Sequence, residues 1–381
     1  MDKKLTAIFM LFIVSLFSAC SLSVLSEERE NAVFAERKAI TVGIPLPREF
    51  AEANTDFLKG VELAQEEINA RGVMGKKLEL VIADDRGVFK DAVDVAQNLT
   101  NETDVVAVIG HWFSGIAIPV SSIYEKAGVL SIVPTVSNPE LTQKGYGFVF
   151  QNIPSDKEIA REMCGYALQM GYQKIVIYHE DSSYGENLAE AYENAAKEMG
   201  VTIVDRVSGL TNEQALKRAR AKWQALDYEA VFLGLNMPEG AEVIKNFRKI
   251  DPRTPILAGD GLDVANLLEV LAEDAEGMVI ATSYKPTEAD PALAEFQKRY
   301  RQKYGKEPDV WAIQGYDSLR LVAHVIEQNQ SVSPRVLAEK MHQMEPWDSL
   351  LGKITFNQSG EVQGRKIYKK QVVQGQFRYI E

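Results

Sequence analysis

The stretch of sequence that decides the fold is VVAVIGHWFSGIAIPVSSIYEKAGVLSIVPTVSNPELTQKGY, which covers Val105–Tyr146. It contains two short apolar runs rich in β-branched residues, Val105–Ile109 and Val129–Val133, which predict strands buried on both faces. The segment between them, from about 114 to 126, is predicted to form a helix. A strand, a helix and a second strand in this order predict two parallel neighbours in one sheet.

Each of these strands is followed by a small polar loop, Gly110–Ser114 after the first and Pro134–Asn138 after the second. Open α/β sheets bind ligands outside the carboxyl ends of their strands, and parallel strands bring both loops to one edge. We therefore predict that Ser114, Thr135 and Ser137 form half of a small-molecule site. Single Ser and Thr residues are also common as turn and helix-cap residues, so the prediction depends on all three occurring together.

The rest of the chain repeats the alternation of strand and helix, which predicts an α/β fold of parallel sheets with helices on both faces. A length of 381 residues exceeds what one core usually holds, so two doubly wound units are expected, divided near residue 152. Further strands are predicted at Ile40–Ile44, Leu78–Ala83, Lys174–Tyr178, Val201–Val207, Ala230–Leu235 and Pro255–Ala258.

After residue 284 the pattern changes to helices followed by short strands, which predicts that the chain returns to both units. We place the crossings between the units near residues 152, 284 and 349. The predicted domains are therefore 39–152 plus 285–348 for lobe 1, and 153–284 plus 349–381 for lobe 2.

The first residues differ in character from the rest of the chain. Two lysines precede the apolar run Leu5–Phe17, and small residues then lead to Cys20, a pattern typical of an export signal. The end of the run resembles the bacterial lipobox, although Phe17 stands where leucine is more usual. We predict a lipoprotein signal peptide over 1–20, lipidation of Cys20, a tether over 21–38, and a location in the periplasm or at the cell surface. Alternatives are a signal peptide cleaved near Ala19 or a retained membrane anchor.

Composition and motifs argue against several function classes. The formal net charge is −12 and no basic run is present, so neither nucleic acid nor an anionic lipid surface is an expected partner of the domain. The four histidines show no metal-ligand spacing and no phosphate loop is present, so no metal or cofactor is predicted. Cys164 is the one cysteine after Cys20, so no internal disulfide is expected.

An enzyme is also not expected. His111 and Ser114 are close in sequence and could suggest nucleophilic catalysis. However, Trp112 occupies the position where a nucleophile elbow needs glycine, and no third residue that would orient the histidine stands at a recognisable spacing.

Taken together, the chain after residue 38 resembles the type I periplasmic solute-binding proteins, nearest to the leucine/isoleucine/valine-binding group of ABC importers. The resemblance depends on the order and spacing of several motifs rather than on any one of them. These motifs are Gly60–Gly72 (GVELAQEEINARG), Ala83–Asp85 (ADD), Gly110-His111, Ser121–Gly128 (SSIYEKAG), Asn138–Tyr146 (NPELTQKGY), Tyr184-Gly185 and Ala275–Gly277 (AEG).

The resemblance implies two Rossmann-like lobes joined by three crossover strands, closing on a ligand in the cleft between them. It implies that hydroxyls of Ser114, Thr135 and Ser137 hold a ligand carboxylate, and the start of a helix at Ser114 also favours an anion. It further implies that Asp260 holds the ligand ammonium and that Tyr184 lines the cleft.

Two departures from the family pattern concern the site. Asn236 stands where the nearest relatives have a tyrosine facing the ammonium, so an aromatic contact is replaced by an amide oxygen that can accept a hydrogen bond. Gly87 and Phe113 stand where those relatives form a disulfide. Trp112, in the loop after the first strand, is expected on the ligand side.

The implied function is that of a monomeric extracytoplasmic receptor, held to the membrane by a lipid anchor. It would capture a branched-chain or other apolar amino acid and pass it to the permease subunits of an ABC importer. Alternatives are a receptor for a short amide, urea or aromatic acid, or a sensory receptor that reports ligand without transport.

Overall fold

The computed structural model describes residues 38–101, 105–210, 212–287 and 289–380. The predicted signal peptide, Cys20 and nearly all of the predicted tether lie outside these residues. Within the described part of the chain, no helix is both long enough and apolar enough to cross a membrane.

The described strands follow one another in the order expected from the sequence. The opening stretch folds as predicted, as strand, helix and strand. The strands are β1 (Ala39–Leu46), β2 (Lys77–Asp84), β3 (Val105–Ile109), β4 (Leu130–Val133), β5 (Val149–Gln151), β6 (Lys174–His179), β7 (Thr202–Ser208), β8 (Ala230–Gly234), β9 (Ile256–Ala258), β10 (Val279–Thr282), β11 (Trp347–Ser349), β12 (Gly352–Phe356), β13 (Val362–Gln363), β14 (Tyr368–Val373) and β15 (Gln376–Ile380).

The described helices fill the connections between these strands, and short 3-10 turns lie at Pro139–Leu141, Asp260–Leu262 and Ala272–Ala275. The α-helices are α1 (Arg48–Asn54), α2 (Phe57–Arg71), α3 (Phe89–Asn101), α4 (Ser114–Ala127), α5 (Asp156–Gln169), α6 (Ser183–Met199), α7 (Glu213–Ala225), α8 (Glu239–Ile250), α9 (Leu267–Leu271), α10 (Pro291–Tyr304), α11 (Val310–Asn329) and α12 (Pro334–His342).

Two parallel sheets form the centres of two lobes, as predicted. The first has the strand order β2-β1-β3-β4-β5, and each of its pairs is parallel. The second has the order β15-β14-β10-β9-β8-β6-β7, in which β6 to β10 are parallel while β14 and β15 add an antiparallel edge. In both sheets the middle strands are buried along their whole length, which fits their continuous apolar sequences.

The late part of the chain packs on both lobes. Helices α10 to α12 contribute to the core of the first lobe, whereas Val372 of β14 belongs to a core of the second lobe. The three-stranded sheet β11-β12-β13 also lies against the first core, through Ile354, Phe356 and Val362. Residues 347–363 thus pack with the first lobe, although our domain bounds place those after 348 in lobe 2. The domain bounds themselves stay a prediction.

Helices α2 and α11 approach each other unusually closely at two glycines. A Cβ atom added to Gly60 would lie 1.8 Å from the carbonyl oxygen of Ala312, and one added to Gly315 would lie 2.4 Å from that of Phe57. These contacts are with backbone atoms, which cannot move aside as a flexible side chain can. The glycines therefore set the distance between these two helices of the first lobe.

This close approach makes a stability prediction. Gly60→Ala should lower the free energy of unfolding by about 1–3 kcal/mol, because the added methyl group forces the helices apart. Gly165→Ala is a matched control in α5, since a Cβ at Gly165 meets nothing within 4 Å. The control should be neutral or stabilising by up to about 1 kcal/mol. Denaturant unfolding measures both, and equal effects of the two variants would contradict the proposed contact.

Candidate functional site

A narrow cleft between the two lobes contains all seven residues predicted for the ligand site. About 20 Å³ of the cleft is free for the centre of a water molecule, and the space measures about 400 Å³ when open solvent at its mouth is included, so the lobes are nearly closed over it. Most of its lining residues follow the carboxyl ends of parallel strands, where a ligand site is expected in this kind of fold. The lining residues are Phe50, Trp112, Phe113, Ser114, Thr135, Ser137, Tyr184, Asn236, Asp260, Gly261, Val264 and Trp311.

The first-lobe side of the cleft is formed around the start of α4. Ser114 is the first residue of this helix and its side chain is almost fully buried, with 4% of the residue exposed. Backbone N–H groups in the first turn of a helix lack partners within the helix, and the helix dipole adds a partial positive charge there. This end of the cleft can therefore hold an anionic group.

The two hydroxyls after β4 have different surroundings. The Thr135 hydroxyl donates to the backbone carbonyls of His111 at 3.2 Å and Trp112 at 3.1 Å. Its oxygen lone pairs therefore remain available to accept a hydrogen bond, whereas donation to a ligand carboxylate would require the hydroxyl to turn. Ser137 is buried, and its carbonyl accepts from the backbone N–H of Asp156 at 2.8 Å.

The second-lobe side carries the acid predicted for the cation. The Tyr184 hydroxyl donates to Oδ1 of Asp260 at 3.0 Å and accepts from the backbone N–H of Gly261 at 2.9 Å. A Cβ on Gly259 or on Gly261 would lie within 3 Å of the Tyr184 side chain, so both glycines make room for this contact. Loss of solvent raises the pKa of Asp260 to about 6. The Gly-Asp-Gly turn thus holds a desolvated acid against the cleft.

Aromatic and apolar side chains form the remaining wall. The ring centroid of Trp112 lies 5.8 Å from that of Phe50 and 5.2 Å from that of Trp311. The Phe113 ring lies 5.0 Å from that of Phe50, and Val264 adds an aliphatic surface from the second lobe. This wall favours an apolar portion of a ligand over a charged one.

A second acid beside the cleft was not predicted from the sequence. Asp156, the first residue of α5, is fully buried, and loss of solvent together with the charge of Asp260 raises its pKa well above the usual range. The Ser137 hydroxyl offsets part of this effect. In the sequence, Asp156 lies in the first turn of α5, where the helix dipole favours an acid, and this already explains an acid at this position. Phe50, Val264 and Trp311, which also line the cleft, were not predicted either.

Hydrogen bonds cross between the two lobes. Asn138 Nδ2 donates to the carbonyl of Ser183 at 3.1 Å, and the backbone N–H of Ala265 donates to the carbonyl of Asn54 at 3.0 Å. Near the floor, Trp311 Nε1 donates to a backbone carbonyl of the second lobe at 2.6 Å. The structure thus shows the two lobes in contact around the cleft.

His111, considered above as a catalytic candidate, is part of the first-lobe core. Its ring nitrogens lie 2.5 Å from Asp85 Oδ2 and 3.0 Å from the Tyr124 hydroxyl, and the residue is 1% exposed. Cys164 is also buried, which raises the pKa of its thiol to about 11. In the described ranges, no cluster of three or more His, Cys, Asp or Glu could hold a metal ion.

Comparison with known proteins identifies the protein family to which the chain belongs. The family model described as periplasmic binding protein matches residues 39–376, and the chain belongs to this family. Its members are binding proteins rather than enzymes.

Three relatives show which binding proteins of this family the chain is similar to. The chain is 28% identical over 349 residues to Leu/Ile/Val-binding protein homolog 1 of Brucella abortus, covering 90% of this chain and 93% of that one. It is 28% identical to the Leu/Ile/Val-binding protein of Escherichia coli K12, covering 88% and 90%. It is also 35% identical to an ABC transporter substrate-binding protein of Desulfitobacterium hafniense, solved in complex with Leu, with a TM-score of 0.82 and coverage of 90% and 100%.

The raised pKa of Asp260 makes a prediction about stability without ligand. The ordinary pKa is 3.8, so the folded state binds this proton more tightly than the unfolded state, and stability falls as pH rises from about 4 to about 6. Asp260→Asn keeps the acceptor for Tyr184 but removes the charge. It should therefore be more stable than the wild type by up to about 3 kcal/mol above pH 7.

Denaturant unfolding across this pH range gives the difference between the two proteins. The difference should vanish below pH 4 and be constant above pH 7. A difference that does not change with pH would contradict the assignment of a desolvated, ionising carboxyl group at this position.

Proposed function

We propose that this protein captures an apolar amino acid, of which leucine is the first candidate, and delivers it to the permease subunits of an ABC importer. The observation that supports this most is the meeting of an anion-favouring helix start, a desolvated acid and an aromatic wall in one small cleft. The names of the relatives, and the leucine bound to the protein from D. hafniense, agree with this ligand class.

The two ends of the cleft suit the two charged groups of an amino acid. The ligand carboxylate would lie at the start of α4, where Ser114 and backbone N–H groups donate to it. The ammonium would lie between Asp260, the oxygen of Thr135 and the amide of Asn236. The apolar side chain of the ligand would then contact Trp112 and its aromatic neighbours.

Closure follows from the division of these groups between the lobes. The first lobe supplies the carboxylate site and can engage the ligand while the cleft is open. Tyr184 and Asp260 belong to the second lobe, so their contacts with the ligand form only when the lobes approach. A ligand favours the closed form only through such differential contacts.

The site residues make a binding prediction. Ser114→Ala should weaken binding of L-leucine roughly 10- to 100-fold, because a hydrogen bond to a charged group contributes about 1.5–3 kcal/mol. Ser122→Ala is a matched control on the same helix, where the hydroxyl bonds only to the carbonyl of Pro119 in the described structure. Isothermal titration calorimetry measures both, and an unchanged affinity in the Ser114 variant would remove this residue from the site.

A ligand without an ammonium group, such as an aromatic acid, would not need the negative charge of Asp260. Asp260→Asn should strongly weaken binding of an amino acid but leave binding of an aromatic acid intact. A thermal-shift screen of amino acids, amides and aromatic acids on both proteins therefore separates the candidate ligands. A ligand at a hundred times its Kd stabilises the folded state by about 2.7 kcal/mol, which is readily detected.

We further propose that Cys20 carries a lipid anchor that holds the receptor at the membrane next to the permease. Cys20→Ser should move the protein from the membrane fraction to the soluble fraction, because the thiol is the attachment point of the lipid. Cell fractionation and immunoblotting measure the distribution, with Cys164→Ser as the matched control. Retention of the Cys20 variant in the membrane fraction would instead indicate a signal segment that is not removed.

A further inference from the structure

Glu180 and Asn236 lie side by side on the second-lobe side of the cleft, which Asn236 lines. Glu180 follows β6 and Asn236 lies just beyond β8, and these neighbouring parallel strands end at the same edge of the sheet. The backbone N–H of Glu180 donates to the carbonyl of Gly234 at 3.1 Å, and Glu180 is only 7% exposed. The backbone of Glu180 is thereby held beside the end of the strand that leads to Asn236.

Hydrogen bonds to this carboxylate determine which way the Asn236 amide faces. The backbone N–H of Asn236 donates to Oε2 of Glu180 at 2.7 Å, and its side-chain Nδ2 donates to Oε1 at 2.9 Å. The hydroxyl of Ser182, the N-cap residue of α6, also donates to Oε1, at 2.6 Å. A carboxylate can only accept, so the amide NH₂ must face Glu180 and the amide oxygen must face the other way.

The amide oxygen of Asn236 faces the part of the cleft where the ligand cation is expected. A Cβ atom added to Gly261 would lie 2.8 Å from this oxygen, which places it beside the turn that carries Asp260. Both Asn236 and Gly261 line the cleft. Two acceptors, one charged and one neutral, thus lie close together on the second-lobe side.

We propose that Glu180 is a positioning residue that fixes the direction of the Asn236 amide and so makes the cleft select an amine over a carbonyl group at the same place in the ligand. This rests on the proposed function, in which the ammonium lies against Asp260. An ammonium group offers donors to both acceptors, whereas the carbonyl of the corresponding keto acid offers a third acceptor. The selection therefore depends on an oxygen, not an NH₂, facing the ligand.

Substitution of Glu180 by glutamine should reverse the orientation of the Asn236 side-chain amide. The backbone N–H of Asn236 cannot turn, so the glutamine oxygen must remain opposite it, and the glutamine NH₂ then faces the Asn236 side chain. Two NH₂ groups cannot hydrogen bond to each other, so the Asn236 amide turns over and directs its own NH₂ into the cleft. Glu180→Gln therefore reverses the direction of the hydrogen bond between the side chains of residues 180 and 236, while the size and packing of the side chain stay nearly constant.

The test compares L-leucine with its keto acid, 4-methyl-2-oxopentanoate, by calorimetry. Glu180→Gln should raise the Kd for L-leucine roughly tenfold or more, since an acceptor for a charged group becomes a donor. The Kd for the keto acid should stay the same or fall, so selectivity for the amine is lost. An equal loss of affinity for both compounds would indicate a merely structural role and overturn the proposal.

Two further variants separate positioning from general damage. Asn236→Asp in the Glu180→Gln background offers an oxygen in either orientation, so the preference for L-leucine should return. Glu229→Gln is the matched control, because Glu229 accepts from the backbone N–H groups of Gln173 and Lys174 at the other end of β6, at 2.5 and 3.0 Å. It should leave the ratio of the two Kd values unchanged. Failure of Asn236→Asp to restore selectivity would overturn the proposal.

A measurement without ligand distinguishes failure of this proposal from failure of the proposed function. The Asn236 side-chain NH₂ signals in heteronuclear NMR are assigned by their loss in Asn236→Asp. They should lie downfield and exchange slowly with solvent in the wild type, and both properties should change in Glu180→Gln. If the wild type binds neither compound, the proposed function fails, while identical NH₂ signals in both proteins would overturn the assigned amide direction.

Discussion

The cleft depends on a carboxyl group that the surrounding protein removes from water. Within the described residues, Asp260 is stabilised by a tyrosine hydroxyl rather than by a basic side chain, and its pKa is raised to about 6. An ion pair with a lysine would satisfy this acid permanently and leave nothing for a ligand cation to gain. The folded protein therefore holds a destabilising group at the cleft, and an ammonium ligand would relieve that cost only when the lobes are together.

The arrangement around this acid is determined by close backbone approaches. The glycines on either side of Asp260 admit the Tyr184 ring, and Glu180 and Asn236 meet because β6 and β8 are adjacent and parallel. On the first lobe, helix α4 starts directly after the loop that follows β3. These features belong to the ends of parallel strands, so the geometry of the two sheets positions the opposing halves of the cleft.

Local sequence patterns were sufficient for most of the fold, whereas Tyr184, Asn236 and Asp260 were predicted only through the resemblance to a family. Short β-branched runs predicted the strands, and the ends of two of them then indicated Ser114, Thr135 and Ser137. Patterns of this kind could not find Trp311, which comes from a distant helix, or Asp156, whose role as a helix-start residue already accounts for it. Nor could they show that β11 to β13 pack on the first lobe, because that depends on tertiary contacts between segments far apart in the chain.

The return of the late chain segments to both lobes governs the order in which the protein can fold. The first core is completed by helices α10 to α12 and by β12, and the second sheet by β14 and β15. A polypeptide that emerges amino terminus first thus presents the five parallel strands of the first lobe with helices α2 to α4, long before helices α10 to α12 that complete their core exist. Neither half can reach its final packing until nearly the whole chain has appeared, which favours late, concerted folding over stepwise completion of one half and then the other.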